Sequence, residues 1–146
     1  MLTVTAPACS RMLDAIEAMF RQDFGGGASR YFFAPGRINL VGAHLDYSGG
    51  DVMPMAVDRG ICVGIRLRED RRIRLRSVDQ QLDVEVDSTK IGDHAEVQWA
   101  WGGYPLGIFR SFLIEHGVHT GFDAVFAGDI PIASGLSSSA AIEVVT

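Results

Sequence analysis

Gly135-Leu136-Ser137-Ser138-Ser139-Ala140-Ala141 sets a glycine and three consecutive hydroxyl residues directly before a run of good helix formers. Glycine lets the main chain come close to an anion. The first amides of a helix have no partner inside it, so they point outward and carry partial positive charge. A helix start of this kind is an anion site. Serine before a helix is ordinarily a cap, but three behind Gly135 favour phosphate over capping alone. Their hydroxyls can also bond phosphate oxygens or ligate magnesium. The run is not the common nucleotide loop, which needs a lysine just before the Ser/Thr. The only lysine, Lys90, lies far away in Ser88-Thr89-Lys90-Ile91-Gly92.

A second stretch gathers polar residues between glycines: Gly36-Arg37-Ile38-Asn39-Leu40-Val41-Gly42-Ala43-His44-Leu45-Asp46-Tyr47-Ser48-Gly49-Gly50. Gly36 and Gly42 mark turns or close backbone approach. His44 and Asp46 are two apart and in an extended segment point the same way. An imidazole and a carboxylate on one face can share the hydroxyls of a polyhydroxyl ligand. Arg37 is a permanent planar cation suited to phosphate.

Together the two stretches resemble the GHMP small-molecule kinases, the galactokinase family most closely. That family's signature G-R-x-N-L-I-G-E-H-x-D-Y-x-x-G is matched from Gly36 to Gly50, and is followed by Pro54-Met55-Ala56-Val57. Its phosphate motif P-x-x-x-G-L-S-S-S-A is matched by Pro131-Ile132-Ala133-Ser134-Gly135-Leu136-Ser137-Ser138-Ser139-Ala140. The resemblance runs from about Tyr31 to the end. It implies transfer of a phosphoryl group from ATP to a sugar, most simply galactose, at the anomeric carbon. Ala133 to Ser139 would cradle the nucleotide phosphates, and Ser139 would also ligate Mg2+. Arg37 would act at the transferring phosphoryl, and Ala43, His44, Leu45 and Asp46 would line the sugar. The partners implied are small molecules, sugar and ATP.

Two departures stand out. Ala43 replaces the family's glutamate, which helps hold the far end of the sugar, so the sugar's identity stays open. Ala133-Ser134 replaces a glycine-alanine pair common among relatives. Other GHMP sugar kinases, for arabinose, a uronic acid or an amino sugar, therefore remain alternatives. So does a non-catalytic sugar and ATP sensor of the same fold. Sensors of that type lose residues inside the serine-alanine stretch, whereas Ser138 to Ala141 are intact here, which favours the enzyme.

The length of 146 residues is about one domain. The chain ends on Ile142-Glu143-Val144-Val145-Thr146 without a cap glycine or a proline, and family kinases are longer. Residues 1–146 are thus expected to be the N-terminal portion of such a kinase, interrupted in the helix after the phosphate loop. The family's aspartate base and magnesium carboxylate would follow residue 146, so this portion alone is expected to be inactive. A net charge of −5 argues against general nucleic-acid binding. No apolar run is long enough to span a membrane. Cys9 and Cys62 fit no zinc spacing, which is consistent with a reduced, cytoplasmic protein.

The periodicity predicts a helix from Ser10 to about Gln22, with Leu13, Ile16 and Phe20 on one face, Ser10 as its cap and Gly25-Gly26-Gly27 as its stop. Strands are predicted at Tyr31-Phe32-Phe33, Gly60 to Leu67, Arg71 to Ser77, Leu82 to Val86 and Phe122 to Ala127. Glu69-Asp70 is read as a hairpin turn, which makes Arg66, Arg68, Arg71, Arg72, Arg74 and Arg76 a solvated face. Pro105 to Glu115 reads as a helix ended by Gly117. Trp99, Trp101 and Tyr104 read as core or as an adenine neighbour. His116 and His119 read as surface residues. The fold expected is α+β, the N-terminal part of a GHMP-kinase fold, with a mixed or antiparallel sheet and helices packed on one face.

Overall fold

Strand alternation gives a sheet two faces, and this protein covers both with helices. The computed structural model describes residues 7–42, 45–80, 83–91, 100–117, 120–131 and 135–146, with backbone alone at Pro7, Ala8, Asp46 and Ala100. Five strands form one sheet: β1 (Arg30–Val41), β2 (Met53–Leu67), β3 (Arg72–Ser77), β4 (Val84–Asp87) and β5 (Phe122–Gly128). Their order is β1-β2-β5-β3-β4. The β3–β5 pair is parallel and the other three pairs are antiparallel.

Helix α1 (Pro7–Met19) runs on into a π-helical turn, Phe20–Phe24, and stops at Gly25, whose φ is 65°. It starts at Pro7 and not at a Ser10 cap. A first-turn proline needs no amide partner and is preset for helix, so Ser10 falls on an exposed position inside the helix. Met12, Ile16, Phe20 and Phe24 pack on Cys62, Val125 and Ala127 of the sheet. Gly64 lets the helix down onto β2, since a Cβ there would lie 2.6 Å from Ile16 Cγ2.

The opposite face carries Ile61, Val63, Ile73, Leu75, Phe122, Ala124 and Phe126. They pack under Leu106 of α2 (Gly103–His116) and Ala141 and Val145 of α3 (Ser138–Val145). The α+β mixed sheet is as expected. The placement of helices on one face holds for α2 and α3 only, because α1 buries its own stripe on the other side. Phe112 of α2 is 53% exposed.

The expected hairpin of β2 and β3 does not form, because β5 lies between them. Arg66, Arg68, Arg74 and Arg76 are accordingly not a solvated face, whereas Arg71 and Arg72 are exposed as expected. Register sets Arg66 of β2 and Arg74 of β3 on either side of Asp123 in β5. Asp123 is fully buried and accepts from Arg74 Nε at 2.6 Å, Arg66 Nη2 at 2.8 Å and Arg68 Nη1 at 3.1 Å. Arg66 also donates to the carbonyl of Phe24 at 2.9 Å, so a cation closes the end of the first helix. Arg74 stacks on the Phe24 ring at 4.4 Å. One carboxylate thus joins the strand pairings on both sides of β5 to the end of α1.

Removing one partner of a buried ionic cluster leaves uncompensated charge. We expect Asp123→Ala to lose about 3–5 kcal/mol of stability in urea denaturation. A loss within ~0.5 kcal/mol, usual for a surface change, would contradict the hub.

Burial pushes the Asp123 carboxyl up, but hydrogen bonds from Arg74 and Arg66 and the charges of Arg74 and Arg68 outweigh it and hold the group below its ordinary value. A depressed folded value means that the unfolded chain binds the proton more readily. The contribution of Asp123 is therefore full above about pH 4, the ordinary carboxylate value, and is lost as pH falls through the folded value. Denaturation midpoints measured from neutral to strongly acid pH in wild type and Asp123→Ala should converge in acid. A constant gap at all pH values would refute this.

Candidate functional site

Strands β1 and β2 outrun the sheet. Strand β5 pairs only with Ile61 to Leu67 of β2, so Arg37 to Val41 and Met53 to Ala56 project as a two-stranded arm. The first polar motif is therefore strand as far as Val41, where sequence reading had a short strand leading into it. Gly42 ends the arm with φ 83°, and a Cβ there would collide with the Asp51 carbonyl oxygen. The chain then turns: Leu45 N–H donates to Gly42 O at 2.9 Å. A 3-10 turn follows at Asp46–Ser48. Asp46 is thus not in the extended segment that would point it the same way as His44. Leu45 is 45% exposed. Ala43 and His44 lie outside the described residues.

The second motif lies against the first. Gly135 takes φ 72° and Ser137 takes φ 56°, the one left-handed non-glycine among the described residues. Such a residue costs about 1–3 kcal/mol and persists only where its surroundings hold it. Helix α3 begins at Ser138, and its first internal bond runs from Ala141 N–H to Ser137 O at 3.0 Å. The amides of Ser138, Ser139 and Ala140 precede that bond and have no intrahelical partner. Ser137 at the N-cap position makes no side-chain cap. Its hydroxyl donates instead to Arg37 O at 3.4 Å. Arg37 N–H in turn donates to Leu136 O at 3.1 Å. Ala133 and Ser134 lie outside the described residues.

Ser138 and Ser139 are exposed and open onto a cleft of about 610 Å³. Trp101, Tyr104, Asp79 and Asp129 also line it. Trp101 packs edge-on against Phe126 at 5.3 Å, yet its buried Nε1–H has no hydrogen-bond partner among the described residues. Trp101 is thus packed on the core on one side and lines the cleft on the other. Trp99 and His119 lie outside the described residues. Asp129 accepts from Gly60 N–H at 2.8 Å and anchors the turn after β5.

The arrangement fits a nucleotide. It offers amides without an intrahelical partner beside hydroxyls for phosphates, aromatic rings in the cleft wall for a base, and an exposed arginine whose main chain is bonded to the loop. Among the described residues no cluster of three metal-ligating side chains occurs. For a magnesium ion the loop itself offers the Ser139 hydroxyl. Sequence reading missed Asp79 and the latch between Arg37 and the loop, since neither has a local signal.

Comparison with known proteins agrees. The model for the GHMP kinases N terminal domain matches residues 103–146, and that for the galactokinase galactose-binding signature matches residues 18–67. Two separate stretches of the chain thus match models of the GHMP kinase family. Within that family its relatives include the galactokinase of Clostridium tetani, 37% identical over 131 residues, covering 90% of this chain and 33% of that protein. The galactokinase of Bacillus subtilis is 38% identical over 135 residues, covering 90% and 34%. The chain thus spans about a third of the length of these curated relatives. The crystal structure of Lactococcus lactis galactokinase complexed with galactose matches with a TM-score of 0.78 at 37% identity, covering 90% of this chain and 34% of that one. Methanococcus jannaschii mevalonate kinase, with a TM-score of 0.65 at 23% identity over 80% of this chain and 37% of that one, shares the fold.

Proposed function

We propose that residues 1–146 are the N-terminal portion of a cytoplasmic sugar kinase that moves the γ-phosphoryl of ATP to the anomeric hydroxyl of galactose or a related sugar. The observation that carries this reading is the backbone bond from Arg37 to Leu136, which sets a cation on the rim of the serine loop. Kinship with galactokinases supports the sugar.

Phosphoryl transfer rests on alignment and on stabilising charge at the moving group. The loop from Ala133 to Ser139 and the free amides of α3 hold the polyphosphate. Trp101 and Tyr104 flank the adenine ring in the cleft. Arg37 stabilises charge on the transferring phosphoryl and favours loss of the sugar hydroxyl's proton. His44 and Asp46 hold sugar hydroxyls, and Ala43 and Leu45 line the same pocket. Magnesium, when bound, neutralises phosphate charge, and the Ser139 hydroxyl helps hold it. The base that takes the hydroxyl proton and the carboxylate for magnesium are supplied by sequence beyond residue 146.

In the complete protein we expect Arg37→Ala to lower kcat for galactose by about 10²–10³-fold, as when one donor to a developing oxyanion is removed. An unchanged rate would remove Arg37 from the mechanism.

Ala43 cannot accept a hydrogen bond through its side chain. A site built around such a bond rejects an analogue lacking the hydroxyl by about 10⁴-fold, but this one should lose less than about tenfold in kcat/KM for galactose lacking the carbon-six hydroxyl. A panel of sugars altered at carbon six measures it, and strong rejection would show another residue in the glutamate's place.

A further inference from the structure

The proposed chemistry needs the Arg37 guanidinium at a fixed distance from the phosphate loop. Yet Arg37 is exposed, and its side chain makes no hydrogen bond or ion pair among the described residues. Whatever fixes it acts through its main chain.

Two features converge there. Strand β1 slips register at Gly36, so that Pro35 faces Gly60 while Arg37 faces Ala56. A Cβ on Gly36 would lie 2.9 Å from Leu136 O, 3.1 Å from Val57 Cγ2 and 3.2 Å from Ile130 Cδ1. The loop carbonyl can reach Arg37 N–H only because that space is empty. Ser137 closes on the other side, its hydroxyl donating to Arg37 O. Glycine would hold the left-handed backbone at this position without strain. Serine holds it with strain and adds the donor.

We propose that Gly36 and Ser137 are positioning residues, the two halves of a latch that clamps the Arg37 main chain to the phosphate loop and so aims its guanidinium at the transferring phosphoryl. The proposal rests on the phosphotransfer reading. It assigns the Ser137 hydroxyl to β1 and leaves phosphate to the other groups of the loop and the first amides of α3.

The test is a double-mutant cycle in the complete protein. Ser137→Gly removes the donor and relaxes the backbone, so folding is kept. Gly36→Ala pushes the loop carbonyl away. Each should lower kcat by about ten- to a hundredfold, the scale of a misplaced reacting group. Each should leave KM for ATP within about twofold, because ground-state binding is untouched. The double variant should be no worse than the more impaired single variant, since both open one device. Hydrogen exchange at the Arg37 amide should quicken in both. An unchanged kcat in Ser137→Gly would overturn the latch. So would a raised KM for ATP at normal kcat, which would make the hydroxyl a phosphate ligand, and so would losses that multiply. Should the unaltered protein phosphorylate no sugar, the kinase reading falls by itself. Arg37 amide exchange then decides the latch alone: faster in both variants supports it, unchanged overturns it.

Discussion

A single backbone hydrogen bond, Arg37 N–H to Leu136 O at 3.1 Å, joins two motifs that lie about 100 residues apart in the chain. Neither motif makes a site by itself. The serine loop alone is a helix start with free amides, and the arginine strand alone is a projecting arm. Their contact ties the Arg37 main chain to the loop that leads into the first amides of α3. It can form because Gly36 has no side chain and because Ser137 accepts a left-handed backbone.

The contact depends in turn on where the sheet places its ends. Strand β2 runs beside β1 along the arm and beside β5 inside the sheet. Asp129, just past β5, bonds the amide of Gly60 and takes a hydrogen bond from Arg59, so the chain entering the loop leaves β5 tied to β2. Deeper in the sheet, Asp123 holds β5 between two arginine-bearing strands. A register slip at β5 would turn Asp123 to the apolar face and its neighbours Phe122 and Ala124 to the ionic one. The ionic cluster therefore acts on the site at a distance by holding the strand that delivers the loop.

Much of this was legible in the sequence, and the failures have physical causes. Period-two and period-four spacing gave the strands and α1, because those patterns depend on near neighbours alone. The start of α1 was misread because Ser10 looks like a cap, while a proline three residues earlier does the work by its fixed geometry. The order of strands was misread because pairing of β5 between β2 and β3 is non-local. The clue was Asp123, a lone carboxylate in the apolar run Phe122 to Ala127, facing strands whose arginines alternate. Such a charge enters a core only with partners. Both site motifs were recognised from residue type and order, and the helix start at Ser138 falls inside the serine run. Their contact was not readable, since it runs through main-chain atoms that every residue carries.

The most direct measurement is a crystal structure of the complete protein with a non-hydrolysable ATP analogue and galactose. We expect the β- and γ-phosphates on the amides of Ser138, Ser139 and Ala140, with the Arg37 guanidinium on the γ-phosphate side. A polyphosphate bound away from the start of α3, or an Arg37 side chain turned from it, would contradict the site described here.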